Sequence, residues 1–80
     1  MPKMRAKLSI ECVTQYATCE VLKMRAVAKN GAYPADGSDD DNTYAKFSPS
    51  ATFEITIANP ALFGHFKPGE KYYVDFTQAD

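Results

Sequence analysis

The sequence predicts an all-β fold: a small five-stranded antiparallel barrel or sandwich with one short helical turn. Three observations carry this expectation. Apolar and polar residues alternate with a period of two through five separate stretches, the mark of strands buried on one face. β-branched and aromatic residues dominate the clearest of them, as a half-buried pleated surface prefers. Gly, Pro, Asn and Asp gather between the stretches as turn signals. Closure into a barrel would also hide sheet edges that a chain of 80 residues has little else to cover.

Residues 4 to 28 read as two strands joined by a hairpin. Ala6, Leu8, Ile10 and Cys12 alternate with Arg5, Lys7, Ser9 and Glu11. Leu22, Met24, Ala26 and Ala28 alternate with Val21, Lys23, Arg25 and Val27, and the pattern fades after Arg25. Leu, Met, Ala, Lys and Arg also favour helix, which is the competing reading for Glu20 to Lys29. The connection Thr14 to Thr18 lacks Gly, Asn and Pro, so it does not specify a turn type. A tight turn centred on Gln15 and Tyr16 would set Cys12 opposite Cys19, a geometry open to a cross-strand disulfide. A reducing compartment favours two free thiols instead.

Residues 29 to 50 read as a long loop ending in a short strand. Lys29-Asn30-Gly31 and Tyr33-Pro34-Ala35-Asp36-Gly37 are turn signals. Thr43 to Phe47 resumes a strand-like alternation, broken by Ser48-Pro49-Ser50. Ala51, Phe53, Ile55 and Ile57 then alternate with Thr52, Glu54, Thr56 and Ala58, the cleanest strand in the chain. Asn59-Pro60-Ala61-Leu62-Phe63-Gly64 has the punctuation of one helical turn, with Asn59 as cap, Pro60 first and Gly64 at the exit. Pro68-Gly69 suits the centre of a type II turn. In the last strand Tyr72, Val74 and Phe76 face one way, and Lys71, Tyr73, Asp75 and Thr77 the other. The expected core is Leu8, Ile10, Leu22, Met24, Phe53, Ile55, Ile57, Leu62, Val74 and Phe76, in a single domain over residues 1–80.

Composition narrows the function classes. The net charge is −1, so a whole-chain basic footprint for nucleic acid is absent. Four of the ten acidic residues, Asp36, Asp39, Asp40 and Asp41, lie in the long loop. The rest of the chain is mildly basic. No stretch approaches the ~20 apolar residues that span a bilayer. Lys7, Ser9 and Glu11 interrupt any apolar block behind the charged start Met1-Pro2-Lys3-Met4-Arg5, so no secretory signal is expected. Two cysteines and one histidine are too few soft ligands for a zinc site. The loop lacks the alternating ligands and closing Glu of an EF-hand. The expectation is no enzyme activity, no metal and no cofactor.

Three runs resemble a family of short proteins encoded by tailed phages and prophages, which have no assigned activity. They are Asp41-Asn42-Thr43-Tyr44-Ala45-Lys46-Phe47-Ser48-Pro49-Ser50-Ala51, Ile57-Ala58-Asn59-Pro60-Ala61, and Phe66-Lys67-Pro68-Gly69-Glu70-Lys71-Tyr72-Tyr73-Val74-Asp75-Phe76-Thr77. The resemblance spans roughly residues 20 to 80. It implies a viral setting, in host cytoplasm or virion, and a compact fold. It brings no catalytic residues.

Two binding surfaces compete on the residues alone. The first is the acidic loop, with Tyr33, Asp36, Asp39, Asp40, Asp41 and Tyr44 as partner-binding residues. A solvated, Asp-rich loop on a rigid sheet can meet a basic patch on a viral or host protein. Replacing its four Asp by Asn is then expected to leave the melting temperature nearly unchanged. Outward Tyr residues, strand edges and near-neutral charge also favour self-association. The rival is a single-stranded nucleic-acid surface of the oligonucleotide-binding kind. It would use Lys23, Arg25, Lys46, Lys67 and Lys71 for phosphates and Tyr73 for base stacking. The acidic loop opposes that reading by repelling phosphate. His65 beside a helical turn is expected at the surface.

Overall fold

Residues 4–80 are described by a computed structural model; the first three residues of the charged start lie outside the described residues. The elements are β1 (Met4–Gln15), β2 (Glu20–Ala26), β3 (Thr52–Ile57), a 3₁₀ turn (Pro60–Leu62) and β4 (Lys71–Phe76). The strands form one antiparallel sheet in the order β3-β2-β1-β4. Among the described residues four strands are formed, not five. Phe53 of one edge strand and Val74 of the other line the same two clefts, so the sheet curls into a half-barrel. Among the described residues no helix is long and apolar enough to cross a membrane.

The missing strand is Thr43–Phe47. Asp39 and Asn42 draw this segment into successive turns: Asn42 N donates to the Asp39 carbonyl at 3.2 Å, and Ala45 N to the Asn42 carbonyl at 3.0 Å. Short Asp and Asn side chains capture nearby amides and so compete with a strand ladder. Phe47 then takes a positive φ of 63°, which no strand accommodates. One isolated bridge, Ser38 to Lys46, is what remains of the expected pairing.

The loop does, however, complete the sheet. β2 leaves β1 after Ala26, which stands opposite Leu8. Beyond that point Arg5 and Lys7 need new partners for their backbone groups. Thr43 Oγ1 accepts from Arg5 N at 2.8 Å, Thr43 N donates to Arg5 O at 3.0 Å, and Asn42 Oδ1 accepts from Lys7 N at 2.8 Å. Two loop residues thus stand where the departing strand would be.

In the hairpin, the turn falls at Tyr16–Cys19, closed by Tyr16 N to Cys19 O at 2.8 Å. A β-bulge between Ile10 and Cys12 shifts the register of β1. An extra residue in one strand reverses the faces beyond it. Val13, opposite buried Leu22, therefore takes the inner face, and Cys12 stands outside opposite Lys23. The inward alternation expected to reach Cys12 stops at Ile10, and Cys12 is not opposite Cys19. Both thiols are free.

The inner face carries the core. Ala6, Leu8, Ile10, Leu22, Met24 and Ile57 are buried, and Tyr44, Phe53, Phe66, Tyr72 and Val74 pack against them half-buried. Of the residues expected in the core, Phe53 and Val74 are half-buried and three are exposed: Ile55 at 42 %, Leu62 at 43 % and Phe76 at 51 %. All three face inward or line the inner clefts, but a single curled sheet has no second layer to close over them. The punctuation around the 3₁₀ turn behaves as expected. Asn59 Oδ1 accepts from Ala61 N at 3.1 Å, and Pro60 opens the turn. Gly69 sits at φ 92° in the Lys67–Glu70 turn, where Glu70 N donates to Lys67 O.

Candidate functional site

The acidic loop is built into the fold rather than displayed on it. Asp39 is 3 % exposed. Its carboxylate accepts from Asp41 N at 3.0 Å, Asn42 N at 3.1 Å, Asn42 Nδ2 at 3.2 Å and, at the limit, the Tyr33 hydroxyl at 3.5 Å. Burial pushes its pKa up, but the bonds from Asn42 and from the Asp41 and Lys29 amides outweigh burial and leave it below the usual value. Asn42, fully buried, also donates to Val27 O at 2.7 Å. Asp36 accepts from Ser38 N at 3.0 Å, which lowers its pKa.

Asp41 anchors the loop to the convex face. It accepts from the Tyr73 hydroxyl at 2.9 Å and pairs with Lys7 Nζ at 3.4 Å. The hydrogen bond to Asp41 raises the Tyr73 pKa. Arg5 lies over the Tyr73 ring, 4.6 Å from its centroid, and forms an ion pair with Asp75 at 2.6 Å. Of the four loop carboxylates, Asp40 is exposed and makes no hydrogen bond or ion pair among the described residues. The tyrosines are spent likewise. Tyr33 packs beside Phe47, ring centroids 5.9 Å apart. Tyr44 is half-buried against the core, and burial followed by the charge of Asp39 raises its pKa. The expectation of a solvated carboxylate cluster is corrected at Asp39 and Asp41, which hold the loop to itself and to the sheet.

The cations of the nucleic-acid reading are scattered. Lys23 and Arg25 are on the convex face of β2, each beside a carboxylate: Lys23 to Glu54 at 3.9 Å and Arg25 to Glu11 at 2.6 Å. Lys46 is in the acidic loop, Lys67 in the turn before β4, and Lys71 at the start of β4. Tyr73 lies under Arg5. These residues are not brought to one groove. His65 is exposed, as expected. Among the described residues no group of three or more His, Cys, Asp or Glu is gathered as a metal site would require.

The surface that strand patterning did not single out is the concave face itself. Two clefts of about 310 Å³ each run along it and share Phe53 and Val74 as a common wall. The upper cleft, bounded by Tyr44, ends at Phe76; the lower, bounded by Phe66, ends at Ile55 and Leu62. Phe66 stacks edge-on against Tyr72 at 5.4 Å. Their walls are almost wholly apolar, and β3 and β4 flank them as edge strands. The signal was present in the strand alternation, since every inward residue of β3 and β4 is apolar. What alternation cannot report is whether a second layer covers that face. Comparison with protein-family models, with curated proteins and with solved structures finds no match for this chain.

Proposed function

We propose that this chain is a non-enzymatic accessory protein of phage type that works through protein–protein contact, and that its contact surface is the concave face of the half-barrel. The observation that carries this reading is the open apolar groove between β3 and β4, where Ile55 and Phe76 are about half exposed. Contiguous apolar surface of this kind on a small protein marks a place where another molecule docks. Two edge strands beside it offer unpaired backbone groups to an incoming chain. The acidic loop has a supporting role here: it fastens the upper rim of the groove, through Tyr44, to β1. The viral setting, as virion component or modulator of a host protein, rests on the family resemblance.

The test is a photo-crosslinking amino acid placed at position 55, on the concave face, and separately at position 23, on the convex face, in cells that make the protein. A discrete adduct to a polypeptide from position 55 and none from position 23 supports the reading. Equal labelling from both, or none from position 55, removes it.

A further inference from the structure

We infer that the concave face is covered by a second copy of the same chain, and that two half-barrels close edge to edge into one eight-stranded antiparallel barrel. The inference rests on the contact reading above and names the occupant.

A folded monomer of this mass, 8.8 kDa, is expected to expose about 4,800 Å². This chain exposes 5754 Å². The excess, about 1,000 Å², is close to what one partner contributes to an interface of standard size, about 800 Å². Shape agrees. The radius of gyration is 14.5 Å, and the molecule measures 48 × 32 × 15 Å, whereas a compact chain of this length has a radius of about 12 Å. Both values fit a flattened single layer, whose concave side is the apolar one.

With order β3-β2-β1-β4 and all neighbours antiparallel, the two edge strands run in opposite directions. A two-fold axis along the barrel sets β4 of each copy antiparallel to β3 of the other, so both seams close with the same ladder that joins the strands inside each copy. Both edge strands are six residues long, so their lengths match to within the one-residue offset that keeps inward residues inward. An eight-stranded barrel has an interior just wide enough for side chains to fill, and the inward residues of β3 and β4 (Phe53, Ile55, Tyr72, Val74 and Phe76) are large. The loops stand at the two ends of the sheet, Tyr44 at one and Phe66 at the other, and leave the side between β3 and β4 open.

Sedimentation velocity over a dilution series of the full chain tests this. The expected result is a particle of twice the chain mass that dissociates on dilution. Ile55→Lys should raise the dissociation constant by about a hundredfold or more, because it buries an unpaired charge in the barrel. Its circular dichroism should stay unchanged, since Ile55 is 42 % exposed in the single copy. Thr14→Lys, on the exposed convex side of β1, should remain dimeric. If Ile55→Lys fails to fold, Phe76→Lys at the other edge serves the same purpose. A wild-type monomer at every concentration, an open ladder of larger species, or a dimer indifferent to both lysines overturns the inference. Should the protein be monomeric, an anilinonaphthalene dye separates the two failures. Bright binding keeps the groove as a contact surface for a different protein, and no binding removes that reading as well.

Discussion

Asn42 makes hydrogen bonds to three separate parts of the chain: Lys7 on β1, Val27 beyond β2 and Asp39 within its own loop. Removing this side chain takes a partner from two backbone groups, Lys7 N and Val27 O, and from the Asp39 carboxylate. Asn42→Ala is expected to cost about 2–4 kcal/mol, read from urea unfolding. Asp39 adds a pH dependence. Its pKa is lower in the folded protein than in the unfolded chain. The ionised carboxylate therefore stabilises the fold fully above the unfolded value, about 3.9, and this contribution is lost as pH falls through the lower folded value. Asp39→Asn should melt lower than wild type at neutral pH and lose less on acidification below about pH 4. Asp36, Glu70 and Asp75, also held below the usual carboxylate value by hydrogen bonds, keep part of the acid limb. The sequence showed that acid was concentrated in this loop. It did not show that Asp39 would turn inward, because hydrogen bonds from Asn42 and the tyrosine at 33 are made only once the loop has closed.

At the scale of elements, strand periods and turn chemistry were legible wherever the signal was local. The alternation of Thr52–Ile57 and Lys71–Phe76, the Asn59-Pro60 cap and the Pro68-Gly69 turn all appear where their residues place them. Two features were hidden for a common reason. The bulge near Glu11 and the loss of a strand at Thr43–Phe47 both depend on which neighbour the segment meets. A one-residue offset leaves a sequence pattern almost unaltered while it exchanges inside for outside. This sets up a direct comparison. Val13→Lys should destabilise by about 1–2 kcal/mol because Val13 lies on the inner face. Cys12→Lys, on the outer face, should stay within about 0.5 kcal/mol of wild type. Uninterrupted alternation along β1 would give the opposite order, and thermal melts of the two variants distinguish them.

For the whole molecule, the decisive property is a sheet whose apolar side is incompletely covered by its own chain. Apart from Glu20, which is buried at the inward start of β2, the inward positions are apolar; six of them are buried and Ile55 and Phe76 are not. Burial depends on a second layer, and a pattern of two says only which way a side chain points. If a second copy supplies that layer, stability depends on concentration. The melting temperature should rise by several degrees across a hundredfold increase in protein, and should change little with added salt, because an apolar seam is weakly screened. A melting temperature independent of concentration would assign the folded state to a single copy.

The pairing of β1 with β4 has a consequence for how the protein is made. Arg5 and Asp75, joined across that seam, are 70 positions apart, while β1 meets β2 through a four-residue turn. During synthesis the hairpin can form early, with β1 as a temporary rim. The other side of β1 stays bare until β4 has left the ribosome. Over that interval a nascent chain presents Met4 to Ser9 to any neighbouring strand, including the same segment on an adjacent chain of the polysome. The basic side chains of Arg5 and Lys7 then act as gatekeepers, keeping the waiting edge from premature pairing.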